Sequence, residues 1–486
     1  MKELRDLLYK APLKELFGDT QVKVKDFHFD SRKIQPGDLF IAIQGTQTDG
    51  HQYITQAIKK GAIAIVCENL PNDFKNYPQV QWLVTSNSRQ ALGIIASNYY
   101  DNPSEKLKVV GVTGTNGKTT VATLLYRLFT ELGYPSGLIS TVEIKILNQT
   151  IPAELTTPDA KSLQHLFYEM VNAGCEYCFM EVSSIAVHQY RIEGTHFVGG
   201  IFTNLTHDHL DYHKTFENYL KRKKAFFDKL SSKAFAISNL DDKNGEVMLQ
   251  NTRAKRIYYA KNRLAHYNVK VLENTFEGLH LILDGRELWV PLIGEFNAYN
   301  ILAVYTAAKQ LGIPSVEILK KLSLMTPIKG RFQILKHSVQ PKYAVIDYAH
   351  TPDALKNVLH NLKQMKINQL IVVFGCGGNR DKEKRPIMGK IAAEYADKII
   401  ITSDNPRNEN PKEIIEEILK GIPTNQRNKV TTLVDREEAI ETALKFAQNH
   451  DVVLIAGKGH ETYQEINGLK IPFDDAFLVQ KFFNQI

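Results

Sequence analysis

"VVGVTGTNGKTTVATLLYRLF", Val109 to Phe129, is an apolar run, then a loop carrying Gly111, Gly114 and Gly117, then Lys118, Thr119 and a helical pattern. This is the order a phosphate-cradling loop requires. Glycines let backbone N–H groups approach phosphate oxygens, the helix N-terminus adds partial positive charge, Lys118 adds a full one, and the Thr119 hydroxyl can reach Mg²⁺. The spacing departs from the strict GxxxxGK[ST] pattern, because Val112 stands where its first glycine would be. The competing reading is a glycine-rich turn with an incidental lysine, and the strand before and helix after weigh against it. The stretch therefore predicts bound ATP, held by Gly114, Thr115, Asn116, Gly117, Lys118, Thr119 and Thr120.

Outward from this loop, strands and amphipathic helices alternate over 103–335 at the spacing of a parallel sheet with crossover helices. Upstream, "FDSRKIQPGDLFIAIQG" and "GAIAIVC" make a small α/β pattern that ends at the polar linker "YDNPSEKLK". Downstream, "YAVIDYA", "QLIVVFGCGG", "KIIITSD" and "DVVLIAGKG" are apolar runs separated by helical patterns, as in a doubly wound sheet. The expected fold is α/β in three domains. These are a small N-terminal domain over 1–102, a central P-loop ATPase domain with a parallel sheet over 103–335, and a C-terminal Rossmann-like doubly wound domain over 336–486. A chain of 486 residues is longer than one core normally serves.

Composition narrows the class. Hydrophobic residues at 43% and charged residues at 23% fit a globular protein and exclude disordered and fibrous classes. A formal charge of +7 without a basic tail favours small anionic ligands over nucleic acid. No apolar run reaches spanning length and no signal-peptide core opens the chain, so it is expected in the cytoplasm without membrane insertion, and as a monomer. Cys67, Cys175, Cys178 and Cys376 are too few for a disulfide framework, and "CEYC" lacks a second pair for zinc; buried thiols are expected.

A nucleotide site also needs a carboxylate for its metal, and Glu181 follows the apolar "YCFM" at a strand end. "THDHLDYH" adds His207, Asp208, His209, Asp211 and His213 in one short loop, some of them as caps or solvated groups. In "TFENYLKRKKAFFDKL", Phe216, Tyr219, Leu220, Phe227 and Leu230 form a stripe at helical spacing with Lys223 at its centre, while Lys221, Arg222 and Lys224 point elsewhere. Snorkelling is the ordinary account of such a lysine. A desolvated one favours its neutral amine, which can add CO₂ to become a carbamate and so a metal-binding carboxylate.

"GVTGTNGKTT", "TTPDA", "EVSSIAVHQYR", "TNLTHDHLDYH", "FNAYNILA", "GRFQ", "DYAHTPDAL", "GCGGNRDKEKRPIMG" and "GKGHETYQ" together resemble the Mur ligases, in order from Asp30 to about Asp475. Among them the chain looks like the members that add the third residue of the peptidoglycan stem peptide. The family's own loop, GxxGTxGKT, accounts for the departure at Val112. The resemblance implies an ATP- and Mg²⁺-dependent ligase acting on small molecules, which phosphorylates the γ-carboxyl of the D-glutamate in UDP-N-acetylmuramoyl-L-Ala-D-Glu and joins an amine to it. It implies Ser31, Thr156, Thr157, Ser183, Gln189 and Arg191 as contacts to the UDP-muramoyl peptide. Glu181, His209 and Lys223 as N6-carboxylysine match metal ligands beside Thr119. Asn297, Arg331 and Asp347 match ATP-binding positions, with Lys118, Lys223 and Arg331 in catalysis. His207 stands where relatives often have Arg, and Lys214 where they often have Gly.

The last stretch is "KIIITSDNPRNENP", Lys398 to Pro411. Asp, Asn and Pro make turns, and an Arg in a turn is usually solvated. In relatives that add meso-diaminopimelate, the tetrapeptide formed here by Asp404, Asn405, Pro406 and Arg407 marks the amino-acid pocket, with Arg385, Gly457 and Glu461 matching the rest. Diaminopimelate is lysine with a second carboxylate, which a guanidinium can hold. The resemblance thus implies meso-diaminopimelate as the amine. An L-lysine-adding homologue, a folylpolyglutamate synthase-like ligase and a non-ligating P-loop ATP switch remain the alternatives.

Overall fold

The computed structural model describes residues 1–484 apart from 46, 47, 207 and 209, and only the backbone of 210 and 211. The strand Lys108–Thr113 lies within an eleven-stranded sheet, between Tyr177–Glu181 and Phe197–Phe202, parallel to both. Helices cover both of its faces. Val110 and Val112 join the core made with helices Lys118–Glu131 and Glu295–Gln310, and Val109 joins the opposite core, with Phe226 and Phe227 of helix Phe216–Asp228. Burial on both sides is why this strand reads as an unbroken apolar run rather than an alternating one.

Glycines set how closely the second helix approaches. A Cβ on Gly111 would lie 2.7 Å from the Phe226 ring, and one on Gly200 would lie 2.8 Å from it. Their absence lets Phe226 sink onto the sheet and draws Lys223 beneath the phosphate loop.

The sheet is parallel in its middle and antiparallel at its borders, where Glu143–Ile146 and Gln149–Pro152 close one edge and Gly278–Leu283 and Arg286–Val290 the other. The expectation of a parallel sheet holds for the centre alone. At one border Asp284 and Gly285, both with positive φ, form the two-residue turn favoured by right-twisted hairpins.

The N-terminal sheet has five strands in the order Leu13–Phe17, Gln81–Thr85, Ala64–Cys67, Leu39–Ile41 and Phe27–His28, with the first antiparallel. It is tied to the central domain by Lys161, whose Nζ donates to Asp26 at 2.8 Å and to the Phe27 carbonyl at 2.6 Å. The C-terminal sheet has six strands in the order Gln333–Lys336, Tyr343–Asp347, Val452–Ala456, Leu370–Phe374, Lys398–Ile401 and Val430–Thr432. Helices Pro352–Lys363, Lys384–Tyr395 and Pro411–Leu419 pack on one face through Leu355, Met388 and Ile414, and Arg436–Phe446 and Asp475–Phe483 on the other through Ile440 and Val479. That is the doubly wound arrangement, and its strand ends carry Asp347, Asp404 and Gly457 toward one edge. All four cysteines are buried free thiols. Among the described residues no helix is long and apolar enough to cross a membrane.

Candidate active site

The loop after Lys108–Thr113 turns through Gly114 at φ +154° and Gly117 at φ +86°, and Gly117 caps the helix Lys118–Glu131. A Cβ on Gly114 would run into Thr203 Oγ1, and one on Gly117 would lie 2.5 Å from Asn300 Oδ1. The loop is pinned by its neighbours: Thr115 N–H donates to the Asn204 carbonyl at 2.8 Å, Asn116 N–H to Asn204 Oδ1 at 2.9 Å, and Thr203 Oγ1 to the Asn116 carbonyl at 2.6 Å. Lys118 folds back over it, its Nζ donating to the carbonyls of Gly114 at 2.9 Å and Thr115 at 2.8 Å. Burial lowers the Lys118 pKa, opposed by the charges of Glu181 and Asp208.

Lys223 lies under the same loop on the buried face of helix Phe216–Asp228, 1% exposed, with Nζ donating to the Gly114 carbonyl at 2.7 Å and 4.8 Å from the centre of the Tyr219 ring. Burial first, and the nearby Lys118 second, hold its pKa well below the ordinary lysine range. Its neighbours pair elsewhere, Lys221 with Glu217 at the surface and Lys224 with Asp228 in a partly buried i,i+4 pair. Glu181 is fully buried at the end of its strand; Oε1 accepts from Thr141 N–H at 2.7 Å, and Oε2 has no partner among the described residues. An ionised oxygen left unpaired in a buried site is costly, so this atom fits a cation ligand. His209, and His207 beside it, lie outside the described residues. Among the described residues no three His, Cys, Asp or Glu side chains gather as a metal cluster.

A cavity of about 540 Å³ joins these groups to the C-terminal domain, lined by Lys118, Glu181, Lys223, Asn297, Arg331 and Asp347, among others. Arg331 Nη2 donates to Thr119 Oγ1 at 3.2 Å, and its guanidinium carbon sits 4.5 Å from the centre of the Tyr348 ring. Burial pushes Asp347 up to about 6, against the pull of Arg331, while its Oδ2 accepts from Phe332 N–H at 2.7 Å. Thr156, Thr157, Ser183 and Arg191 line the opposite wall. Thr157 Oγ1 donates to the Glu181 carbonyl at 2.8 Å, and Ser183 caps helix Ser184–His188 through a bond from Ala186 N–H at 3.1 Å. A second cavity, of about 740 Å³ between the N-terminal and central domains, is lined by Ser31, Gln189 and Arg191. Arg191 borders both cavities, held by Gln189 Oε1 at 2.8 Å and by the Thr157 carbonyl at 2.9 Å.

At the strand ends of the C-terminal sheet Asp404 and Asn405 are buried, and Gly457, at φ +114°, faces Asp404 so closely that a Cβ would strike its Oδ2. Asn405 Nδ2 donates to Glu461 Oε2 at 2.8 Å, and buried Lys458 donates to both Asn405 Oδ1 and Glu461 Oε2 at 3.0 Å. Past Pro406, Arg407 adopts φ +52°, with Nη1 donating to the Gly378 carbonyl at 2.8 Å. Arg385 is placed differently from the reading of it as a pocket residue. It is fully buried and bonded to Glu409 at 2.9 Å and Glu417 at 2.7 Å. That pairing holds the Glu409 carboxyl down at about 2.

Three family models cover the chain in sequence: the Mur ligase family catalytic domain over 24–100, the Mur ligase middle domain over 112–308, and the Mur ligase glutamate ligase domain over 330–459. A relative from Cytophaga hutchinsonii, described as a UDP-N-acetylmuramoyl-L-alanyl-D-glutamate--2,6-diaminopimelate ligase, is 51% identical over 99% of this chain and 98% of its own. The chain belongs to the Mur ligase family. A solved structure described as that same ligase aligns over 100% of this chain and 99% of its own, with TM-score 0.70 and 31% identity. A folylpolyglutamate synthase from Mycobacterium tuberculosis shares the fold over 76% of this chain and 92% of its own, with TM-score 0.61 and 16% identity.

Several polar groups of this Mur ligase that touch the site were not singled out from sequence. Asn204, Asn239 and Asn300 frame the phosphate loop, Tyr348 stacks on Arg331, and Lys458 and Glu465 organise the Asn405 loop. Lys458 sits inside the quoted "GKGHETYQ", so the signal was present, and only its burial marks it.

Proposed function

We propose that this Mur ligase joins meso-diaminopimelate to the D-glutamate γ-carboxyl of UDP-N-acetylmuramoyl-L-Ala-D-Glu at the cost of ATP. The single observation that carries the reading is the cavity where the phosphate loop, Glu181, Lys223, Arg331 and Arg191 meet. Gly114 to Thr120, Asn297, Arg331 and Asp347 would hold ATP. Thr156, Thr157, Ser183, Gln189 and Arg191 would hold the muramoyl peptide, with its nucleotide end toward Ser31 in the second cavity. Asp404 to Arg407, Gly457 and Glu461 would hold the amino acid.

The γ-phosphoryl group passes from ATP to a γ-carboxylate oxygen, giving ADP and an acyl phosphate; the amine then attacks the carbonyl carbon, loses a proton and expels phosphate. Lys118 leaves its loop carbonyls to balance charge on the β- and γ-phosphates, and Arg331 faces the transferring group. Mg²⁺, held by Thr119, Glu181, His209 and a Lys223 carbamate, would neutralise phosphate charge. The unpartnered Glu181 Oε2 supports that donor set. Closure of the C-terminal domain over the cavity would gate the chemistry and exclude water. We further assign the three domains to 1–102, 103–335 and 336–486, and the enzyme to the cytoplasm as a monomer.

Phosphate release with ATP, the UDP-muramoyl dipeptide and either meso-diaminopimelate or L-lysine tests this reading. Faster release with meso-diaminopimelate is expected, and Arg407→Ala should erase the preference. Equal rates with L-lysine, turnover on a folate substrate, or release independent of both co-substrates would overturn it.

A further inference from the structure

Arg407 is the least relaxed residue of the candidate amino-acid pocket. Its backbone is left-handed, at φ +52°, without the freedom of glycine, a conformation that persists only where surrounding contacts over-determine it. Those contacts come from one hairpin, Tyr463–Ile466 paired with Leu469–Pro472. Arg407 N–H donates to the Glu465 carbonyl at 3.0 Å, Asn467 N–H donates to the Arg407 carbonyl at 2.7 Å, and Arg407 pairs with Ile466 as an isolated parallel bridge. The Glu465 side chain completes the clamp, its Oε2 accepting from Arg407 Nε at 3.1 Å, while Glu465 N–H donates to Asn405 Oδ1 at 2.9 Å.

We infer that Glu465 is a positioning residue for amino-acid selection, fixing the Nε edge and the backbone of Arg407 so that its outer Nη edge is presented to the distal carboxylate of the incoming amino acid. The inference rests on the proposed function of the same pocket and extends it to a residue outside the Asp404 to Arg407 tetrapeptide. With Nε on Glu465 and Nη1 on the Gly378 carbonyl, the guanidinium plane is fixed at two corners. Nη2 has no hydrogen bond among the described residues and is left to the ligand. A guanidinium ordered before binding gives up less side-chain entropy when the carboxylate arrives. When the pocket is empty, Glu465 also keeps the half-buried Arg407 charge paired.

The contact needs an acceptor at the right reach more than it needs a charge, and that separates positioning from simple electrostatics. Glu465→Ala removes the acceptor, Glu465→Asp withdraws it by one methylene, and Glu465→Gln keeps it while deleting the charge. Phosphate release is measured with the UDP-muramoyl dipeptide and ATP while meso-diaminopimelate is varied, then with each of the other two substrates varied. Glu465→Ala and Glu465→Asp should raise KM for meso-diaminopimelate about tenfold, with kcat and KM for ATP within about twofold of the parent; Glu465→Gln should stay within about threefold throughout. An unchanged KM for meso-diaminopimelate in both Ala and Asp variants, a uniform loss over all three substrates, or a Gln variant as impaired as Ala would overturn the inference. A parent chain indifferent to meso-diaminopimelate would overturn the underlying reading as well. Failure of the inference alone leaves the parent's preference for meso-diaminopimelate intact.

Discussion

Lys118 and Lys223 donate to one carbonyl oxygen, that of Gly114, from 2.9 and 2.7 Å. Two ammonium groups converging on a buried acceptor repel each other, and the fully buried one carries the heavier desolvation cost. Burial thus favours the neutral amine at Lys223 more than at Lys118, and the neutral amine is the form the proposed carbamate needs. Lys223→Ala is expected to lower turnover roughly 100-fold or more, with partial recovery on adding short carboxylic acids. Lys224→Ala, which breaks a partly buried i,i+4 pair with Asp228 away from the cavity, should change stability by about 1 kcal/mol and leave turnover near the parent's. Tolerance of Lys223→Ala alongside loss in Lys224→Ala would move the reactive lysine elsewhere.

Lys118→Ala should abolish ATP-dependent phosphate release, since no other cation lies on the loop between Gly114 and Thr120. Calorimetric titration with ATP is the check. Binding and turnover equal to the parent's would place the nucleotide in another cavity.

Asp347 gives a pH dependence with a definite sign. Burial raises its pKa from 3.8 to about 6, so between those values the folded chain binds more protons than the unfolded one. Its contribution to stability is complete below the lower value and is lost as pH rises through about 6. Asp347→Asn, which keeps an acceptor for Phe332 N–H, should gain on the parent in urea midpoint between pH 4 and pH 7, about the window of that shift. A constant difference across that range would show that the carboxyl does not titrate there.

Arg385→Ala should act on stability rather than on choice of amino acid. Removing the guanidinium leaves Glu417 without an ion partner among the described residues and Glu409 with only Lys382 and the Asn379 N–H, a loss of about 3 kcal/mol in denaturant unfolding. An unchanged midpoint with a lost preference for meso-diaminopimelate would return Arg385 to the pocket.

Lys214 adopts φ +67°, the left-handed region, at the position where the family resemblance favours glycine. Lys214→Gly is expected to raise stability by roughly 0.5–1 kcal/mol, read from thermal unfolding. A lowered midpoint would mean that the contacts of the Lys214 side chain outweigh the relief of its backbone.

What could be read from the sequence was local or periodic. The phosphate loop declares itself through glycine spacing between a strand and a helix, and Lys223 through its place in a helical stripe. Both follow from backbone geometry within about twenty residues. The groups that were missed depend on contacts between distant segments. Asn204 reaches the loop across 88 positions and Glu465 reaches Arg407 across 58, and neither residue type is unusual where it stands. Arg385 was legible as a motif residue, but Glu409 and Glu417, which occupy it, come from the far side of a strand and the next helix. The antiparallel borders had a local sign in Asp284 and Gly285, hidden among helix and strand patterns that a parallel sheet also explains.

Arg191, bordering two cavities at once, stands where a caliper's post would. On the proposed function, a muramoyl peptide reaching from one cavity to the other would pass this guanidinium, which bonds to Gln189 and Thr157, so the distance between its two ends would be gauged against a single post. Substrates one residue shorter or longer would then be mis-seated ahead of phosphoryl transfer, and selection by length would precede selection by reactivity.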